Sequence, residues 1–167
     1  HYRSHSFPTR RSSDLFASMG IRLSNSGVGP ALIERVSVLK GGEPLDSLDA
    51  YVDMFPPGYV HSWSSLIGRA VAPGDEVQPL RADWPRGAVS NDQLNAAAAA
   101  WSELDIEICY CSVFERCWTT RSLGMGSGMT RAERVKRCER SETDIFEAVA
   151  EQARAPANET DTTAEVE

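Results

Sequence analysis

Apolar and polar residues alternate with period two through much of the chain, and glycine, proline and asparagine clusters interrupt the alternation at short intervals. Ile21 and Leu23 alternate with polar neighbours, and Leu32, Val36 and Val38 share one side of a second run from Ala31 to Leu39. Between them lies "NSGVGP", in which Asn25, Gly27 and Gly29 can take positive φ cheaply while Pro30 fixes the start of the next run. The pattern predicts two strands joined by a glycine-rich connection, the second ended by "KGGEP", Lys40 to Pro44.

The spacing then turns helical. Leu48, Tyr51, Val52 and Phe55 recur at i, i+3, i+4 and i+7 behind a capping Ser47, and Pro56-Pro57-Gly58 stops the run, which predicts a surface helix across an end of a sheet. "SSLIGRAVAPGDEVQPLRADW" predicts two strands around a turn from Ala72 to Glu76. Pro79 places the second of them at a sheet edge, because proline donates no ladder hydrogen bond. Ser90 caps an alanine-rich helix over Asn91 to Leu104. Next, Leu104, Ile106, Ile108 and Tyr110 alternate with Asp105, Glu107, Cys109 and Cys111, so "VFER" is a hairpin turn and "CWTTRS" the return strand. Leu123 to Met129 reads as a flexible loop. Ser141 and Asp144 form a capping box for a last helix over about Thr143 to Ala153, and "APANETDTTAEVE" is too polar to pack. Together these elements predict a mainly β protein, a β-sandwich of about seven strands with two or three peripheral helices. The sandwich is expected over residues 16–140, and a short helix with a disordered acidic tail over 141–167.

Composition narrows this picture. A chain of 167 residues with 41% hydrophobic side chains can bury one core of moderate size, and no run reaches the roughly 18 to 20 apolar residues of a membrane span. The stretch "HSFPTRRSSDL", His5 to Leu15, corresponds codon for codon to a common short-read sequencing adapter. Residues 1–15 are therefore read as adapter-derived and set aside, with the native chain expected to begin near Phe16, its true beginning cut off. Setting aside Arg3, Arg10, Arg11 and Asp14 moves the net charge from -7 to -9 and leaves His61 as the native histidine. From Ser141 to Glu167 eight acidic residues face Arg154 alone, so the body is close to neutral. Without a basic stripe, nucleic acid is not expected as a partner.

Two motifs carry a resemblance. "SNSGVGPALIERVSV" resembles an N-x-G-x-G-P-A strand-turn-strand motif, and "ICYCSVFERCW" resembles a C-Y-C-S…C-W hairpin, of an uncharacterised group of bacterial proteins. The resemblance spans about Gly20 to Cys138. It implies an immunoglobulin-like sandwich on the extracytoplasmic side of the inner membrane, anchored through an N-terminal transmembrane helix. It brings no established activity.

The candidate chemistry centres on Cys109, Cys111, Cys117 and Cys138. Zinc sites usually supply thiolates as C-x2-C pairs, and Cys109 and Cys111 along one strand stand about 6.6 Å apart by strand rise, wide for two ligands of one ion. Redox catalysis favours C-x-x-C at a helix N-terminus, where the dipole lowers a thiol pKa, and a hairpin offers no such field. A staple fits the spacing better: Cys111 and Cys117 face each other across a short hairpin, which leaves Cys109 for Cys138, although four cysteines permit three pairings. An even, clustered count suits an oxidising compartment. A small metal-binding or thiol-redox domain on the same four residues remains the alternative.

Other groups offer less. His61 lies beside Ser62, Ser64 and Ser65 with no orienting acid in view, so no catalytic residue is assigned. "GMGSG" lacks the ending of a phosphate loop. Trp63, Trp84, Trp101 and Trp118 are expected chiefly in the core, with Trp118 packed on a disulfide as in immunoglobulin-type sandwiches. Arg131, Arg134, Lys136, Arg137 and Arg140, interrupted by Glu133 and Glu139, read as a solvated face or a partner for the acidic tail. The sequence thus points to a non-enzymatic, disulfide-stapled extracytoplasmic interaction or structural module. No cofactor is expected, a protein partner is, and the oligomeric state is left open.

Overall fold

Apolar alternation builds two antiparallel sheets around one core. The computed structural model describes residues 2–5, 16–125, 128–147 and 149. One sheet contains β1 (Tyr2–His5), β2 (Phe16–Asn25), β5 (Val60–Trp63) and β7 (Glu76–Pro85), in the order β1-β2-β7-β5. The other contains β3 (Ala31–Lys40), β4 (Glu43–Pro44), β8 (Leu104–Ser112), β9 (Cys117–Arg121) and β10 (Glu133–Val135), in the order β10-β9-β8-β3-β4, with β6 (Ala70–Val71) also on β3. Helices α1 (Asp49–Val52) and α2 (Asn91–Ser102) lie outside the sheets, and a further short helix opens at Ile145. The protein is a mainly β sandwich.

The strands flanking "NSGVGP" belong to different sheets, so the connection crosses the sandwich. Asn25 fastens it by its side chain rather than by left-handed backbone. Its Oδ1 accepts from the Gly27 N–H at 2.9 Å, and its Nδ2 donates to Gly29 O at 2.9 Å and to Val71 O at 2.8 Å. The left-handed glycines serve tight turns instead, as at Gly41 and Gly42 between β3 and β4.

Ile21, Leu23, Leu80, Ala82 and Trp84 from one sheet meet Ile33, Val38, Ile106 and Ile108 from the other, each at most 2% exposed. Gly20 lets β2 approach β7 closely, since a Cβ there would stand 2.4 Å from Leu80 O. The two named helices close one side through aromatic contacts. Phe55 stacks on Trp101 at 5.3 Å and meets Trp84 edge-on at 5.9 Å. The indole N–H groups donate inward, Trp84 to Pro56 O at 2.8 Å and Trp101 to Tyr51 O at 3.0 Å.

Several expectations need correction. Pro79 lies in a central strand, between β2 and β5, where a register shift opposite Ile21 to Leu23 removes the need for its missing N–H. The strand expected within "SSLIGRAV" is only the two-residue β6, and His61, for which no element was predicted, sits in β5 opposite Ala82. Ser90 does cap α2, in a box with Gln93, but the helix stops at Ser102 and Leu104 already begins β8. β10 emerges from what read as a charge run. Asp144 caps the last helix by itself, its Oδ1 accepting from the Phe146 N–H at 2.9 Å, while the Ser141 hydroxyl donates to Thr143 O instead. Packing also runs past the expected boundary at Arg140, because Phe146 is 0% exposed and Val149 is buried. Tyr2–His5, set aside in the sequence reading, pairs with β2 as an edge strand. The expected acidic tail lies outside the described residues.

Candidate functional site

Alternation along β8 turns Ile106, Ile108 and Tyr110 into the core and Cys109 and Cys111 onto the outer face of the sheet. Cys117 starts β9 directly opposite Cys111, with Cα atoms 4.0 Å apart, and the two form a disulfide. That separation belongs to the close, non-hydrogen-bonded type of antiparallel pair. Beyond β10 the chain turns back across this outer face and joins Cys138 to Cys109, with Cα atoms 5.7 Å apart. All four thiols are thereby oxidised. The Sγ atoms of Cys111, Cys117 and Cys138 lie within 4.8 Å of one another, so the two disulfides are neighbours. In this state no thiolate is available as a metal ligand or a nucleophile.

The crossing chain continues as a strap. Arg140 pairs with Glu34 at 3.8 Å and lies against Gly68, where a Cβ would stand 2.2 Å from its Nη2. Ser141 N donates to Glu34 O at 3.1 Å. The strap ends on Asp144, 4% exposed, whose Oδ2 accepts from Leu66 N at 2.6 Å, Ile67 N at 3.1 Å and the Ser65 hydroxyl at 3.0 Å. Four donors satisfy this one buried carboxylate, and among the described residues no lysine or arginine forms an ion pair with it. Phe146 and Val149 then enter the core. The open cleft of about 520 Å³ beside this anchor is lined by Ser65, Arg140, Ser141 and Asp144, which hold the strap, and by Ile67, Glu142 and Glu147.

Asp105 and Arg121 form a second fastening on the same sheet. Partial burial pushes the Asp105 carboxyl up, but hydrogen bonds from Arg121 and from the Gly124 N–H at 2.6 Å outweigh it and hold the group below its ordinary range. Burial raises Tyr110, and burial with the nearby Asp53 raises Tyr59.

The remaining candidates disperse. His61 lies near the Tyr59 ring at 5.9 Å, and among the described residues it shares no hydrogen bond with a serine or carboxylate. Ser64 donates to Gln78 O at 2.9 Å and Ser65 to Asp144, so neither is held as a nucleophile. Trp84 and Trp101 are core anchors, and Trp63 is half-buried. Trp118 is not placed on a disulfide but stacks on Tyr110 at 5.8 Å. Of "GMGSG", Gly126 and Ser127 lie outside the described residues, while the Gly124 N–H is committed to Asp105. Sequence reasoning missed Asn25 and Asp144 as fasteners, and Phe146 as core. Their signal, an Asx motif before glycine and an isolated acid before an apolar pair, is common in loops that do neither.

Fold and site together define a β-sandwich whose outer face is locked by two adjacent disulfides and a strap. Compared with protein-family models, with curated proteins and with solved structures, the chain finds no match. No helix among the described residues is long and apolar enough to cross a membrane.

Proposed function

We propose that this chain is a non-enzymatic, extracytoplasmic interaction module with an immunoglobulin-like fold, carried by a membrane-anchored bacterial protein. The observation that carries the reading is the pair of adjacent disulfides, which engages every cysteine in the chain. Such pairs persist in oxidising compartments and are rare where thioredoxin and glutathione keep thiols reduced. The N-x-G-x-G-P-A and C-Y-C-S…C-W motifs support it further, since Asn25 and Cys111–Cys117 both serve to build the sandwich. In this reading a membrane helix precedes Phe16 in the full-length protein and tethers the module on the outer side of the inner membrane. Its work is surface complementarity, displayed on sheet edges and loop tips.

The test counts free thiols. Intact mass before and after alkylation, without reductant, should show no alkylated cysteine in protein recovered from cells; four free thiols would overturn the reading. An apolar span of about 20 residues encoded upstream of Phe16 in the uninterrupted gene would support the anchor, and its absence there would remove it.

A second reading, a metal-binding or thiol-redox domain on Cys109, Cys111, Cys117 and Cys138, draws on the crowding of three Sγ atoms within 4.8 Å. It requires the cysteines as free thiolates, which a reducing compartment supplies. Zinc retained in native mass spectra of unreduced, freshly prepared protein would favour it over the staple.

A further inference from the structure

Between Phe16 and Val149, seven lysines and arginines form ion pairs with carboxylates. Of the six that form none among the described residues, Arg116, Arg131, Arg134 and Lys136 gather along β10 and the β8–β9 turn, all exposed. Glu115 and Glu133 share this strip and leave it with a net charge of two positive units, in a chain whose net charge is -7. A local reversal of sign, built from cations that pair with no carboxylate among the described residues, is the electrostatic footprint of an anionic partner.

Three further observations say what shape that partner has. β10 is the terminal strand of its sheet, so its backbone on the side away from β9 faces no other strand among the described residues. A shallow cleft of about 340 Å³ runs between Arg116, Arg134 and Lys136, floored by Cys117 and Val135. At its end the turn presents Val113 and Phe114, 69% and 81% exposed. The other edge of this sheet, β4, is closed to strand addition by Pro44 and Glu43. The charge on β10 repels a second copy of the same strand while favouring an acidic one.

We infer that β10 and the β8–β9 turn form a docking strip for an acidic, extended segment of a partner protein. The segment adds as a strand beside β10, its carboxylates on Arg131, Arg134 and Lys136 and an apolar side chain against Phe114. Backbone pairing supplies the geometry and the cations supply selectivity. This inference rests on the chain being an interaction module.

The test uses the full, oxidised chain and a short fluorescent peptide in which glutamate alternates with valine, read by anisotropy. The peptide should bind, more weakly as salt rises, and about tenfold or more weakly to the Arg134→Glu/Lys136→Glu variant. Methylating alternate backbone amides of the peptide should abolish binding. Both substituted side chains are exposed, and an unchanged urea midpoint checks the fold; if charge reversal disturbs it, Arg134→Gln/Lys136→Gln serves instead. No binding, equal binding of a lysine-valine peptide, or undiminished binding of the methylated peptide overturns the inference. Binding to phosphatidylserine vesicles in place of the peptide also overturns it and assigns the strip to a membrane surface. Because both disulfides are verified by mass beforehand, this result is separate from the thiol count that tests the module itself.

Discussion

One buried amide, that of Asn25, closes the crossover between the sheets and ties it to β6, so three backbone groups depend on a single side chain. Asn25→Ala leaves the Gly29 and Val71 carbonyls and the Gly27 N–H without that partner. The expected cost is about 2–3 kcal/mol, read as a lower urea midpoint of the oxidised protein at unchanged slope. A loss below about 0.5 kcal/mol would mean that the loop holds itself. Asp105 makes a pH-dependent contribution of known sign. Its folded pKa lies below the ordinary value of 3.8 because the Arg121 and Gly124 hydrogen bonds outweigh burial, so the ionised form binds in the folded state. Its stabilisation is therefore complete above the unfolded pKa and is lost as pH falls through the lower, folded one. Asp105→Asn should lower stability near neutral pH and flatten the acid limb below about pH 4; urea midpoints across that range check it.

At the scale of elements, strands with long two-residue alternation were legible in β2 and β8, while in β3 a register shift between Ile33 and Arg35 puts Ala31 and Ile33, not Leu32, on the core face with Val36 and Val38. The α2 helix was legible from Ser90 and its alanines for an equally local reason. What escaped was decided by partners distant in sequence. "VHSW" and "ERV" are too short and too polar to announce strands, and they become strands only because β7 and β9 offer them a ladder. Pro79 misled because a bulge, which spares its missing N–H, leaves no mark in the sequence. Of the candidate site, the four cysteines and their hairpin were visible, whereas the strap that brings Cys138 across the face was not. The strap depends at its far end on Asp144. Asp144→Ala removes four hydrogen bonds and is expected to free the segment beyond Cys138. Limited trypsin digestion should then cut rapidly at Arg140 while the sandwich stays intact, a nick visible by mass after reduction. Global unfolding in place of that nick would show the strap to be part of the cooperative core.

For the whole molecule, the two disulfides close loops of very different length, with sequence separations of 29 and 6. On the chain-entropy account the longer constrains the unfolded state by ~3.5 kcal/mol and the shorter by ~2 kcal/mol. A domain of this size has roughly 5–15 kcal/mol in all, so their joint loss is of the order of the whole stability. Cys109→Ser/Cys138→Ser should therefore lower the urea midpoint more than Cys111→Ser/Cys117→Ser. The first pair also releases the strap from the middle of the sheet, whereas the second joins residues that β8 and β9 already hold in register. Complete reduction should leave the chain marginal, with the buried Trp84 and Trp101 reporting the change by fluorescence. If the reduced protein keeps the oxidised midpoint, the sandwich is held by its core alone and the disulfides serve something other than stability. The crowding of Cys111, Cys117 and Cys138 sulfurs would then be the feature to pursue, because a thiolate freed by reduction of one disulfide can attack the other only at that proximity, and stability does not need it.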